Sequence, residues 1–134
     1  MLNVLLVDDD EIDVMNVRRA FKKGNIDNPL FFAGDGLKAL EVLRDGTVPR
    51  ERRLVLLDLN MPRMNGVEFL RELRADPELH STMVVVLTTS NEERDKVEVY
   101  NLNVGGYLLK PVHFNTFVDL ITTVTKYWSL TELP

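Results

Sequence analysis

The chain has 134 residues, a formal net charge of −5 at pH 7 and no cysteine. It is long enough for one domain with its own core, and it excludes disulfide frameworks and Cys-based zinc or redox centres. The acidic balance argues against a sequence-independent grip on nucleic acid, and no run approaches the roughly 18 apolar residues of a membrane span.

In chain order, Asn3–Val7, Leu30–Ala33, Leu54–Leu57, Met83–Leu87 and Gly106–Leu109 are short apolar runs. Their lengths and flanking turn residues read as buried strands. Between them the period becomes helical. Val14, Val17 and Phe21 form one stripe; Ala39, Leu40 and Leu43 form a shorter one. Gly66, Phe69, Leu70 and Leu73, then Phe117, Leu120, Ile121 and Val124, follow i, i+3, i+4, i+7. Gly24, Gly46 and Gly105-Gly106 sit where helices should stop in a left-handed cap, and Asp35 and Asn91 are placed as N-caps. Asp10 and Glu11 read as the cap and first-turn charge of the first helix. Pro29 suits an edge strand, and Thr47–Arg53 reads as an exposed basic loop. The alternation predicts (βα)₅, an α/β fold with a parallel sheet covered on both faces by right-handed crossovers.

The chemistry lies at the ends of those runs. Asp8 and Asp9 follow the first, Asp58 the third, Thr88 the fourth and Lys110 the fifth. In a parallel sheet they all emerge at the carboxyl edge, where open α/β sheets bind ligands. Taken singly, a strand-end aspartate is often only a helix cap; the coincidence of five such groups is the signal. Two unit charges about 4 Å apart repel by roughly 4 kcal/mol at an effective dielectric near 20, so a three-carboxylate nest needs a cation. Oxygen ligands without His or Cys suit Mg²⁺, with the backbone carbonyl of Asn60 able to complete the shell. Pro111, after Lys110, offers a cis bond that would aim the ammonium over the pocket. His80 and His113 lack metal-ligand spacing and read as surface residues.

Four segments carry a resemblance: Val4-Leu5-Leu6-Val7-Asp8-Asp9; Leu56-Leu57-Asp58-Leu59-Asn60-Met61-Pro62 with Asn65-Gly66; Val86-Leu87-Thr88-Thr89-Ser90; and Gly106-Tyr107-Leu108-Leu109-Lys110-Pro111. In order and spacing this set resembles the receiver domain of bacterial two-component response regulators. The resemblance implies a flavodoxin-like strand order of 2-1-3-4-5 and a Mg²⁺-dependent phosphoacceptor role for Asp58. It implies Asp9 as a direct metal ligand, Asp8 as an acid acting largely through metal-bound water, and Asn60 as the carbonyl ligand. Thr88 matches the switch hydroxyl, Lys110 the phosphoryl-pairing lysine and Tyr107 the aromatic that changes rotamer on activation. Asn60 and Ser90 match positions that govern access of hydrolytic water, and Thr89 stands where the family usually has a small residue.

The implied partners are a histidine kinase and a downstream protein target or phosphotransfer protein. Such a regulator catalyses only its own phosphorylation and dephosphorylation. The expected organisation is a receiver over residues 1–127 and a tail over 128–134, with no output domain. The N-terminus lacks the form of a signal peptide, so the expected setting is the cytoplasm. The tail, with the Thr47–Arg53 connection, is similar to the small regulators paired with phytochrome-type histidine kinases. Tyr127, Trp128, Leu130 and Leu133 either fold back on the domain or build a symmetric homodimer. An aspartate-nucleophile phosphohydrolase is the enzyme alternative, since Asp8-x-Asp10 fits its motif, but it leaves Asp58 without a role. A receiver that serves only as a docking module is a third reading. No P-loop motif is present.

Overall fold

Short β-branched and Leu-rich runs bounded by turn residues become five strands: β1 (Asn3–Val7), β2 (Leu30–Ala33), β3 (Arg53–Leu57), β4 (Met83–Thr88) and β5 (Gly106–Leu109). The computed structural model describes the whole chain, Met1–Pro134. The strands alternate with α1 (Glu11–Lys23), α2 (Gly36–Arg44), α3 (Gly66–Ala75), α4 (Glu93–Tyr100) and α5 (Phe114–Ser129). All pairings are parallel, in the order β2-β1-β3-β4-β5. The expected doubly wound, flavodoxin-like architecture is therefore the one observed, with β2 and its leading Pro29 at an edge.

The apolar stripes divide between two cores, one on each face of the sheet. Ala39, Leu40, Leu43, Phe69, Leu70 and Leu73 pack with Leu5, Val7, Val55 and Val84 on the α2–α4 side. Val17, Phe21, Phe117, Ile121 and Val124 pack with Val4, Leu6 and Leu54 on the other. Register then levels the carboxyl ends. Val7 lies opposite Ala33 and Leu57, Leu57 opposite Val86, and Thr88 opposite Leu109. The backbone ladder continues one step further: Asp58 N–H donates to Val7 O at 2.9 Å, and Lys110 N–H to Thr88 O at 2.9 Å.

Local features depart from the sequence reading in five places. The α4 N-cap is Glu92 rather than Asn91, and no side chain closes it. Gly24 caps α1 with an ordinary negative φ of −83°; the left-handed residues after α1 and α4 are Asn25 (φ 53°) and Asn103 (φ 62°), and only Gly46 among the glycines has positive φ. Asparagine tolerates this region because its short side chain bonds locally. The Thr47–Arg53 segment is not wholly exposed: Val48 is buried, and Arg53 opens β3 with its guanidinium donating to the carbonyls of Leu43, Val48 and Pro49 at 2.7–2.9 Å. The Lys110–Pro111 bond is trans, as is every peptide bond in the chain. Finally, α5 continues to Ser129. Leu133 packs on the second core, and Arg52 holds Ser129 O and Pro134 O, so the tail lies back on the domain.

Candidate functional site

Asp58 is buried one residue beyond β3, and its Oδ1 accepts from the Thr88 hydroxyl at 2.9 Å. Across β1, the Asp8 carboxylate is buried as well and is fixed by the Asp10 N–H at 2.9 Å. Asp10 is itself the N-cap of α1, accepting from Ile12 N–H, so the turn after β1 both starts the helix and aims Asp8. Asp9 is exposed at the rim. Oxygens of Asp8, Asp9 and Asp58 lie within 4.8 Å of one another, close enough to share one ion.

A single cation stands among them. The Lys110 Nζ, with 9% of its side chain exposed, donates to Asp8 Oδ2 at 2.8 Å and to Asp13 Oδ2 at 2.7 Å, and lies 3.8 Å from Asp58 Oδ2. One ammonium does not balance four carboxylates. Burial drives Asp8 up to about 6 despite the hydrogen bond from Lys110, and burial raises Asp58 too, against the pull of Lys110 and Thr88. For Lys110, burial acts downward, but the bonds to Asp13 and Asp8 outweigh it and the net shift is upward. Three carboxylates at this separation, with no thiolate or imidazole among them, form a donor set for a hard divalent cation.

The loop after β3 is held from two sides. Gly66 opens α3 so close to it that a Cβ there would stand 2.5 Å from the Asp58 carbonyl oxygen. Only glycine permits that approach. On the other side, Arg63 pairs with the buried Asp35, which caps α2 through Lys38 N–H, and Gly36 N–H donates to Met64 O at 3.2 Å. Asn60 is exposed in this loop, with its backbone N–H facing the Asp58 carboxylate. A cleft of about 410 Å³ opens between the β3–α3 and β4–α4 loops, lined by Asn60, Asn65, Ser90, Arg94 and Asp95 among others.

A chain of bonds leads from Asp58 toward α4 and β5. Thr88 Oγ1 accepts from Ser90 N–H at 3.3 Å, the Ser90 hydroxyl donates to Asp95 Oδ2 at 2.7 Å, and the Tyr107 hydroxyl donates to Ser90 O at 2.7 Å. Tyr107 is half-buried on edge strand β5, and burial raises its phenol. Thr89 points outward, exposed; His80 and His113 are exposed too.

The strand ends thus bring Asp8, Asp9, Asp58, Thr88 and Lys110 together, with Asn60 at the rim and Tyr107 at one remove. Asp13 and Asp95 escaped the sequence reading. Asp13 lies three residues after its helix cap, in the turn that rises from the same sheet edge, and that spacing was the available signal.

A doubly wound five-stranded sheet with an acidic nest and one lysine at its carboxyl edge defines a receiver domain. The sequence profile of the response regulator receiver domain family matches residues 4–122, and the chain belongs to that family. It is thus a two-component signalling protein. It is 36% identical over 128 residues to the response regulator Rcp1 of Synechocystis sp., covering 93% of this chain and 87% of that protein. Among solved structures, the phosphorylated cyanobacterial phytochrome response regulator RcpA superposes with a TM-score of 0.88 at 29% identity, covering 99% of this chain and 98% of that one. The Mn²⁺-bound form of Rcp1 gives 0.85 at 35% identity, covering 100% and 99%.

Proposed function

We propose that Asp58 accepts a phosphoryl group from a histidine of a partner kinase in a Mg²⁺-dependent reaction, and that the acyl phosphate switches a protein-binding surface. The observation that carries this reading is the buried Asp58 carboxylate, bonded to Thr88, beside Lys110 and two further carboxylates. An Asp58 oxygen attacks phosphorus in line; the P–O bond forms as the P–N bond breaks, and the electron pair stays on the leaving imidazole. Asp8, Asp9, Asp58 and the Asn60 carbonyl would hold the Mg²⁺, which neutralises the acidic nest and the charge spread over the phosphoryl oxygens. Lys110 and Thr88 would take two of those oxygens.

The switch follows from the bond chain. When Thr88 turns to the phosphoryl group, the Ser90 segment moves with it, and Tyr107 loses its partner at Ser90 O. Its ring then turns, remodelling α4, β5 and α5. This is a local charge change biasing a two-state element.

The similarity to Rcp1 and RcpA supports a phytochrome-type histidine kinase as the donor, with a protein target or phosphotransfer protein downstream in the cytoplasm. Tyr127 and Leu130, 60% and 79% exposed on the α5 end, support a two-fold homodimer there. A monomeric mass by light scattering, unchanged in Leu130→Ser, would end that part.

The direct test is to incubate the protein with Mg²⁺ and a small acyl phosphate and read intact mass. Wild type should gain one phosphoryl group and Asp58→Asn none; equal labelling of both overturns the reading.

A further inference from the structure

We propose that Asp13 is a positioning residue that holds the Lys110 ammonium just short of Asp58, where a phosphoryl oxygen completes its hydrogen bonds. The proposal rests on the reading of Asp58 as phosphoacceptor. Asp13 lies in the first turn of α1, outside the trio of carboxylates that crowd together as metal ligands. An ammonium carries three N–H donors. Asp8 takes one at 2.8 Å and Asp13 a second at 2.7 Å. The third faces Asp58 Oδ2 across 3.8 Å, beyond hydrogen-bond reach. Only 9% of the lysine side chain is exposed.

The gap has the character of a space left for product. A phosphoryl group on Asp58 sets its oxygens one phosphorus atom beyond the carboxylate, toward the waiting N–H. Lys110 therefore meets the phosphoryl group without abandoning Asp8 or Asp13. With Asp13 removed, the ammonium keeps Asp8 and closes on Asp58, making a resting ion pair that the incoming phosphoryl group must break. A purely structural Asp13, complementing the dipole of α1, would change stability alone.

Two readouts on the full chain separate these roles. In the metal-free protein, the ¹⁵N resonance of the Lys110 ammonium should shift little when Asp58→Asn is introduced into wild type, and strongly when it is introduced into Asp13→Asn. At saturating Mg²⁺, Asp13→Asn should slow phosphoryl transfer from a small acyl phosphate by about tenfold, less than the roughly 10²-fold that a full 1 Å misplacement can cost, since Asp8 still holds the ammonium. Asp13→Glu, which restores the carboxylate, should recover most of that rate. An Asp13→Asn rate equal to wild type at saturating Mg²⁺ overturns the proposal. So does an ammonium resonance equally sensitive to Asp58→Asn in both backgrounds. Failure of wild type to label at Asp58 would instead overturn the phosphoacceptor reading, so the two failures are distinguishable.

Discussion

At the amino end of the sheet, the buried Arg53 guanidinium donates to three main-chain carbonyls and meets no carboxylate. At the carboxyl end, the Lys110 ammonium meets three carboxylates, with a fourth, Asp9, at the rim. Both ends bury a cation; only one buries more opposite charge than the cation can balance. Arg53 closes the turn after α2 and ties the base of β3 to it. The opposite edge keeps Asp8 and Asp58 above the ordinary carboxylate range, an arrangement that disfavours the fold until a cation arrives. In this sheet the amino rim carries a cation with its carbonyl partners, and the carboxyl rim, where open α/β sheets bind ligands, carries the excess of carboxylates.

The largest expected effect is at the satisfied end. Arg53→Ala leaves the buried carbonyls of Leu43 and Val48, and the partly buried one of Pro49, without their donors and should cost about 3 kcal/mol in denaturant unfolding, while the fraction that folds still accepts a phosphoryl group. A comparable loss from Lys110→Ala in the metal-free protein would show that the two ends are not as different as their partners suggest.

A smaller effect, of opposite sign, belongs to the frustrated end. The folded protein holds Asp8 at about 6, above its unfolded value of 3.8, so the folded state binds the extra proton. That contribution is present in full below the unfolded value and is lost as pH rises through about 6. The metal-free melting temperature should therefore rise as pH is lowered from neutrality toward 5. In Asp8→Asn the part of the rise that Asp8 contributes should vanish, leaving the part that comes from the raised Asp58, and by linkage the variant should be more stable than wild type at pH 7.5 by about 1–2 kcal/mol. Melting curves across pH check both statements. The smallest effect is at the link between site and surface: Tyr107→Phe loses the bond to Ser90 O and should cost about 0.5–1 kcal/mol, with the phosphorylation rate unchanged.

How much of this was legible depended on how local the cause was. Strand runs and helix stripes announce themselves by period, so the sheet, its two cores and the levelling of Asp8, Asp58, Thr88 and Lys110 could be read from the chain. Arg53 and Val48 were misread because a basic loop is ordinarily solvated, and only the returning carbonyls of the turn after α2 make burial of the guanidinium favourable. Asn91 has the chemistry of a cap, yet the helix begins one residue late, at Glu93. Asp13 reads as first-turn charge for α1, and its side-chain partner, Lys110, comes from 97 residues away in sequence. No local pattern encodes such a contact. The sequence left the tail two readings; Arg52, whose backbone and side chain both reach it, draws Ser129 and Pro134 back on the domain, while Tyr127 and Leu130 stay exposed.

The most direct measurement is the unfolding midpoint of wild type and Asp9→Asn titrated with Mg²⁺ at pH 7.5 and at pH 5. The account predicts a rise that saturates with Mg²⁺ for wild type at pH 7.5, shrinks at pH 5 where Asp8 is protonated, and is largely absent in Asp9→Asn. A wild-type midpoint indifferent to Mg²⁺, or raised equally in both proteins at both pH values, would contradict it.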